Sequence, residues 1–96
     1  MITRIVRLTI FPDKVADFKL LFSESFPKIS AFNGCSGLIL YHDYDENNVM
    51  ITYSNWSSAE DLETYRNSEL FRNTWAKVKP LFLSPPMAFS MEKVSF

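Results

Sequence analysis

The sequence predicts an α+β fold in the order β-α-β-β-α-β, the ferredoxin-like or split βαβ arrangement: a four-stranded antiparallel sheet with helices on one face. Two kinds of periodicity and one connection point to it. Residues 2–11, 37–43, 48–56 and 87–96 read as strands, the first three with side chains of differing character on alternating sides. The stretches from Pro12 to Gly34 and from Ser57 to Phe82 repeat apolar residues every three or four positions, the helical period. Tyr44-Asp45-Glu46-Asn47 is a polar turn joining the two middle strands directly.

In the first strand, Ile2, Arg4, Val6, Leu8 and Ile10 share one side, and Thr3, Ile5, Arg7, Thr9 and Phe11 the other. Pro12-Asp13 opens the first helix, because proline is tolerated in a first turn and aspartate suits its positive end. Val15, Phe18, Phe22, Phe26, Ile29 and Asn33 follow along one stripe. Pro27 lies inside that run and predicts a kink or a division, and Gly34 predicts the stop.

In the second strand Leu38, Leu40 and His42 alternate with Ile39, Tyr41 and Asp43. In the third Val49, Ile51, Tyr53 and Asn55 alternate with Met50, Thr52, Ser54 and Trp56. Ser57 with Glu60 fits a capping box for the next helix, which carries Leu62, Tyr65 and Arg66 at helical spacing. Asn67-Ser68 interrupts it, and Ser68 with Glu69 caps a second piece. Phe71, Trp75, Val78 and Phe82 make one apolar stripe, with Pro80 near its end. Ser84-Pro85-Pro86 leads into the last strand, Met87 to Phe96.

The 96 residues are expected to form a single domain, 1–96, whose core is modest for its length. Yet 47% of residues are apolar and 16% aromatic, with nine Phe, four Tyr and two Trp. Helices cover only one face of such a sheet, while these strands are apolar on both. The expectation is a homodimer packed sheet against sheet, which hides the second face. A net charge of −1 gives no basis for binding nucleic acid or an anionic membrane surface. The first residues alternate like a strand instead of forming a signal peptide's apolar core, and no apolar run approaches ~20 residues. With a single cysteine, Cys35, the expected location is cytoplasmic.

Tyr53-Ser54-Asn55-Trp56, the following Ser-Ser-Ala-Glu-Asp-Leu, then Tyr65 to Phe71 and Trp75-Ala76-Lys77-Val78 resemble the antibiotic biosynthesis monooxygenase family. Phe32-Asn33-Gly34-Cys35 is similar to that family's Gly-Cys turn. The resemblance covers essentially the whole chain. It implies a dimeric α+β barrel, closed by two sheets. It also implies a cofactor-independent monooxygenase that oxidises an aromatic or quinol-like metabolite with O₂, or a non-catalytic ligand-binding or interaction protein of the same fold. The haem-degrading branch uses an Asn, a Trp and a His at positions that here hold Val6, Tyr65 and Trp75. Quinol-oxidising relatives place histidines near the helical break, where this chain has Tyr65 and Leu70.

Such chemistry needs an apolar pocket and polar groups that hold a phenolate or enolate. Trp75, Tyr65, Trp56, Phe71 and Phe18 are candidate walls, with Tyr53, Asn55, Arg72 or His42 as polar groups. His42 titrates near neutrality and is the natural general base, or else a histidine at the polar end of a strand. The aromatic stripe reads equally as core. Arg4 either holds an anionic substrate or ends a strand at the surface. Asn55 either orients a carbonyl or caps the following helix. One His, one Cys and scattered carboxylates give no metal-ligand spacing, and two glycines make no phosphate loop. The expected cofactor and metal content is none, and the expected ligand a small apolar or aromatic molecule.

Overall fold

The computed structural model describes residues 1–96. Its order is β1 (Ile2–Thr9), α1 (Val15–Ser30), β2 (Cys35–His42), β3 (Val49–Trp56), α2 (Ala59–Arg66), α3 (Glu69–Val78) and β4 (Met87–Met91). Short 3₁₀ turns at Pro12–Lys14 and Lys79–Leu81 precede α1 and follow α3. The sheet runs β2-β3-β1-β4 with every neighbour antiparallel. This is the ferredoxin-like topology read from the sequence. No helix is long and apolar enough to cross a membrane.

The register defines two faces. On the helix side, Leu38, Ser54, Arg4 and Ser90 line up across the four strands, and Leu40, Thr52, Val6 and Ala88 make the next row. On the other side run Ile39, Tyr53, Ile5 and Phe89, then Tyr41, Ile51, Arg7 and Met87. The core lies between sheet and helices: Leu8, Ile10, Phe18, Met50 and Val78 are buried together, with Phe22, Leu40, Trp75 and Phe82 packed around them. Each such side chain is worth about 1.5–3 kcal/mol when fully removed from water.

Several local expectations shift. Pro27 neither divides nor ends α1, which continues to Ser30. The proline falls in the last turn, and Ser23 and Pro27 are both exposed, so water can satisfy the carbonyl left without an N–H. The helix stops before Gly34, whose φ of 90° instead turns the chain into β2. A Cβ there would lie 2.5 Å from the Asp61 side chain, so the position favours glycine on two counts.

The cap of α2 is Ser58, not Ser57: Ser58 Oγ accepts from the Asp61 N–H at 3.1 Å. Ser57 is occupied elsewhere, donating its N–H to the Gly34 carbonyl at 2.8 Å. Ser68 caps α3 as read, accepting from the Phe71 N–H at 3.1 Å. β1 ends at Thr9, after which Ile10 bridges to Phe82. β4 stops at Met91, opposite Thr3, because β1 has almost no chain left to pair with.

Candidate active site

Between the helix side of the sheet and the three helices lies a cavity of about 270 Å³. Its floor is Arg4, Val6, Leu8, Leu38, Thr52, Ser54 and Trp56 from the strands, with Pro86 and Ala88 at the β4 edge. Its walls are Phe18, Phe22 and Ile29 of α1, Leu62, Tyr65 and Arg66 of α2, and Phe71, Thr74, Trp75 and Val78 of α3. The α2–α3 break at Asn67-Ser68 bends the chain so that Tyr65, before it, and Phe71 and Trp75, after it, turn to one space.

The aromatic rings form a connected wall. Tyr65 stacks on Trp56 at 4.8 Å between centroids and meets Phe32 and Phe71 edge-on at 5.4 and 5.3 Å. Phe71 stacks on Trp75 at 5.8 Å, and Trp75 meets Phe82 at 5.3 Å. Offset and edge-on contacts of this kind add about 0.5–1.5 kcal/mol each beyond area burial. Trp56 is completely buried, and its indole Nε1–H donates to Ser54 Oγ at 3.0 Å. That bond satisfies its donor and fixes the ring as a rigid floor.

Charge enters this cavity only as cations. Arg4 and Arg66 are its charged lining residues, and no carboxylate, imidazole or thiol joins them. Arg4 Nη1 donates to Ser90 Oγ at 3.0 Å, and Arg66 Nη1 lies 3.5 Å from Glu63 Oε2. Burial holds the Arg4 guanidinium below its usual pKa, the Arg66 charge adds to that, and Glu63 opposes it. Burial also pushes the Tyr65 phenol up to about 12, with the nearby Cys35 a lesser cause. Tyr65 therefore stays neutral at ordinary pH and can present a hydrogen-bond donor.

Of the residues the sequence nominated, Phe18, Trp56, Tyr65, Phe71 and Trp75 line the cavity, and so does Arg4. Four others lie outside it. Tyr53 lies on the opposite face, edge-on to Tyr41 at 6.5 Å. Asn55 shares that face and accepts from Thr3 Oγ1 at 2.8 Å, so it neither caps a helix nor reaches the cavity. His42 is exposed, its Nδ1 2.9 Å from the Asp43 carbonyl at the β2 end. Arg72 is exposed and donates to the Asn67 carbonyl at 2.6 Å, securing the start of α3.

The strand alternation already set Tyr53 and Asn55 opposite Trp56, and it could have supplied Ser54 and Thr52 instead. Arg66 and Thr74 were missed because a polar residue on a helix flank gives no sign in sequence of which element packs over it. No three His, Cys, Asp or Glu side chains gather to form a metal site.

Fold and site together define a class: a ferredoxin-like α+β protein with an aromatic cavity between sheet and helices. Residues 1–77 match the antibiotic biosynthesis monooxygenase family, and the chain belongs to it. A solved structure described as an antibiotic biosynthesis monooxygenase matches with a TM-score of 0.92 at 17% identity, covering 99% of this chain and 100% of its own. A conserved protein of Methanosarcina mazei gives 0.91 at 16%, covering 98% and 94%. A Mycobacterium tuberculosis protein gives 0.89 at 21%, covering 99% and 96%. Identities this low carry the fold alone. No curated protein matches the sequence.

Proposed function

We propose that the chain is a small monooxygenase of the cofactor-independent kind, oxidising an aromatic or quinol-like metabolite with O₂. It works as a single domain, residues 1–96, in a cytoplasmic homodimer joined through the open sheet face. The observation that carries this reading is the cavity itself: an aromatic-walled space of about 270 Å³ whose polar groups are two guanidiniums, a neutral phenol and the hydroxyls of Thr52, Ser54 and Thr74. Apolar walls with a few convergent polar groups are the usual form of a small-molecule site.

The chemistry follows from those groups. A phenol or enol seated beside Arg4 and Arg66 loses its proton more readily, because a nearby positive charge favours the anion. The released proton leaves through solvent at the mouth. The electron-rich anion then reduces O₂ against the aromatic walls. For an anthrone-type methylene the balance is R₂CH₂ + O₂ → R₂C=O + H₂O. The carbon loses four electrons, one oxygen atom becomes the carbonyl, and the other leaves as water with both hydrogens.

The lining also supports a second reading. It holds no carboxylate or imidazole to act as a base, which suits a protein that binds a small ligand without transforming it. An oxygen electrode separates the two. Uptake with hydroquinones or anthrones above their autoxidation rate, lost in Trp75→Ala and kept in His42→Ala, supports the oxygenase. Absence of uptake, with those compounds still raising the melting temperature, supports the binding protein.

A further inference from the structure

The two cations of the cavity define the substrate more narrowly. We propose that Arg4 and Arg66 form an oxyanion seat, and that the natural substrate is an aromatic acid whose carboxylate occupies it while its rings lie against Tyr65, Phe71 and Trp75. The proposal rests on the reading that this cavity holds the substrate.

Placement is the first argument. Arg4 stands in the sheet row Leu38, Ser54, Arg4, Ser90, on the cavity floor, and Arg66 is the last residue of α2, on the wall above. Two like charges from different elements are thus turned to the same space, an arrangement that costs free energy unless an anion lies between them. The protein supplies no such anion from the lining. Glu63, the one carboxylate near both, is outside it and is bound in turn by Asn67 Nδ2 at 3.0 Å.

Unused donors are the second argument. A guanidinium carries five N–H donors in a fixed fork. Arg4 spends one on Ser90 and Arg66 one on Glu63. The remaining donors match a planar carboxylate, which takes paired hydrogen bonds from such a fork. The third argument is contrast. Beside these two groups the lining is predominantly apolar and aromatic, so a ligand with one charged end and a flat apolar body satisfies both parts of the cavity at once. A neutral quinol would leave the two guanidinium groups with Glu63 as their one nearby counter-charge, and that carboxylate lies outside the lining.

The test measures binding of naphthoate and of naphthamide, which share shape and differ in charge, by quenching of intrinsic tryptophan fluorescence in the wild-type protein under anaerobic conditions. Naphthoate is expected to bind roughly tenfold more tightly than naphthamide, the scale of a charge-assisted hydrogen bond. Arg4→Met should lower that ratio severalfold, and added salt should shrink it in the wild type. Should Arg4→Met fail to fold, Arg66→Met, on an exposed helix end, is expected to lower the ratio in the same direction. Equal affinity for the two compounds in the wild type, binding of neither, or a ratio that survives both substitutions would overturn the seat. Oxygen uptake with neutral hydroquinones reports separately on the oxygenase reading, so either idea can fail while the other stands.

Discussion

On the helix side of the sheet, Leu8, Met50 and Trp56 are buried beneath α1, α2 and α3. On the opposite side, Ile39, Tyr53, Ile5 and Phe89 form an equally apolar row across all four strands, yet Ile39 is 43% and Phe89 51% exposed. Tyr41 and Met87, at the ends of the neighbouring row, are 51% and 60% exposed. The same alternation of side chains produces both surfaces. The difference lies in what covers them. The covered side is filled imperfectly and keeps a cavity. The open side has no element packed over it, and an exposed apolar surface of this kind commonly marks an interaction site. One face thus has the features of a substrate site and the other those of an assembly surface.

The contrast can be broken most forcefully from the covered side. Phe18 is 1% exposed and packs against the core, so Phe18→Ala should cost about 3–5 kcal/mol of unfolding free energy in urea titrations. A loss below about 1 kcal/mol would mean that the helices do not cover this face as described. On the open side the same logic gives a different readout. Phe89→Asp should leave the protomer folded by circular dichroism but weaken the proposed dimer by roughly a hundredfold or more, because a charge would be buried against the apolar face of the partner. Light scattering that still reports a dimer at micromolar concentration would place the interface elsewhere.

The smallest effect concerns the cavity wall and its pH dependence. The fold favours the neutral Tyr65 phenol, whose pKa is about 12 against an ordinary 10.0. A group with a raised folded pKa contributes fully below the unfolded value, and that contribution declines as pH rises toward the folded one. Stability should therefore fall between about pH 10 and pH 12 by on the order of 2 kcal/mol more in the wild type than in Tyr65→Phe. Parallel stability curves for the two proteins would show that the ring is not desolvated.

Much of the fold was legible because it rests on local rules. Ser68 beside Glu69 marked the start of α3, and Phe71, Trp75 and Val78 marked its inward stripe. The Ser57 reading was off by one residue because Ser57 is held by the Gly34 carbonyl, a contact 23 positions away in sequence. Pro27 looked like a break because propensity ignores how close a helix already is to its end. The cavity lining was legible where residues sit on a periodic face, as with Trp56, Tyr65 and Trp75. His42 and Arg72 were nominated for their chemical character, and both lie outside it, His42 at the polar end of its strand.

The sequence by itself determined the order of elements, the two apolar faces of the sheet and the aromatic supply for a pocket, since periodicity and capping act over a few residues. Only the tertiary structure decided which face the helices cover, and with it that Arg4 and Arg66 line one cavity while Tyr53 and Asn55 lie behind it. Those outcomes depend on packing between elements remote in the chain, where burial and charge are set by neighbours that no local pattern names.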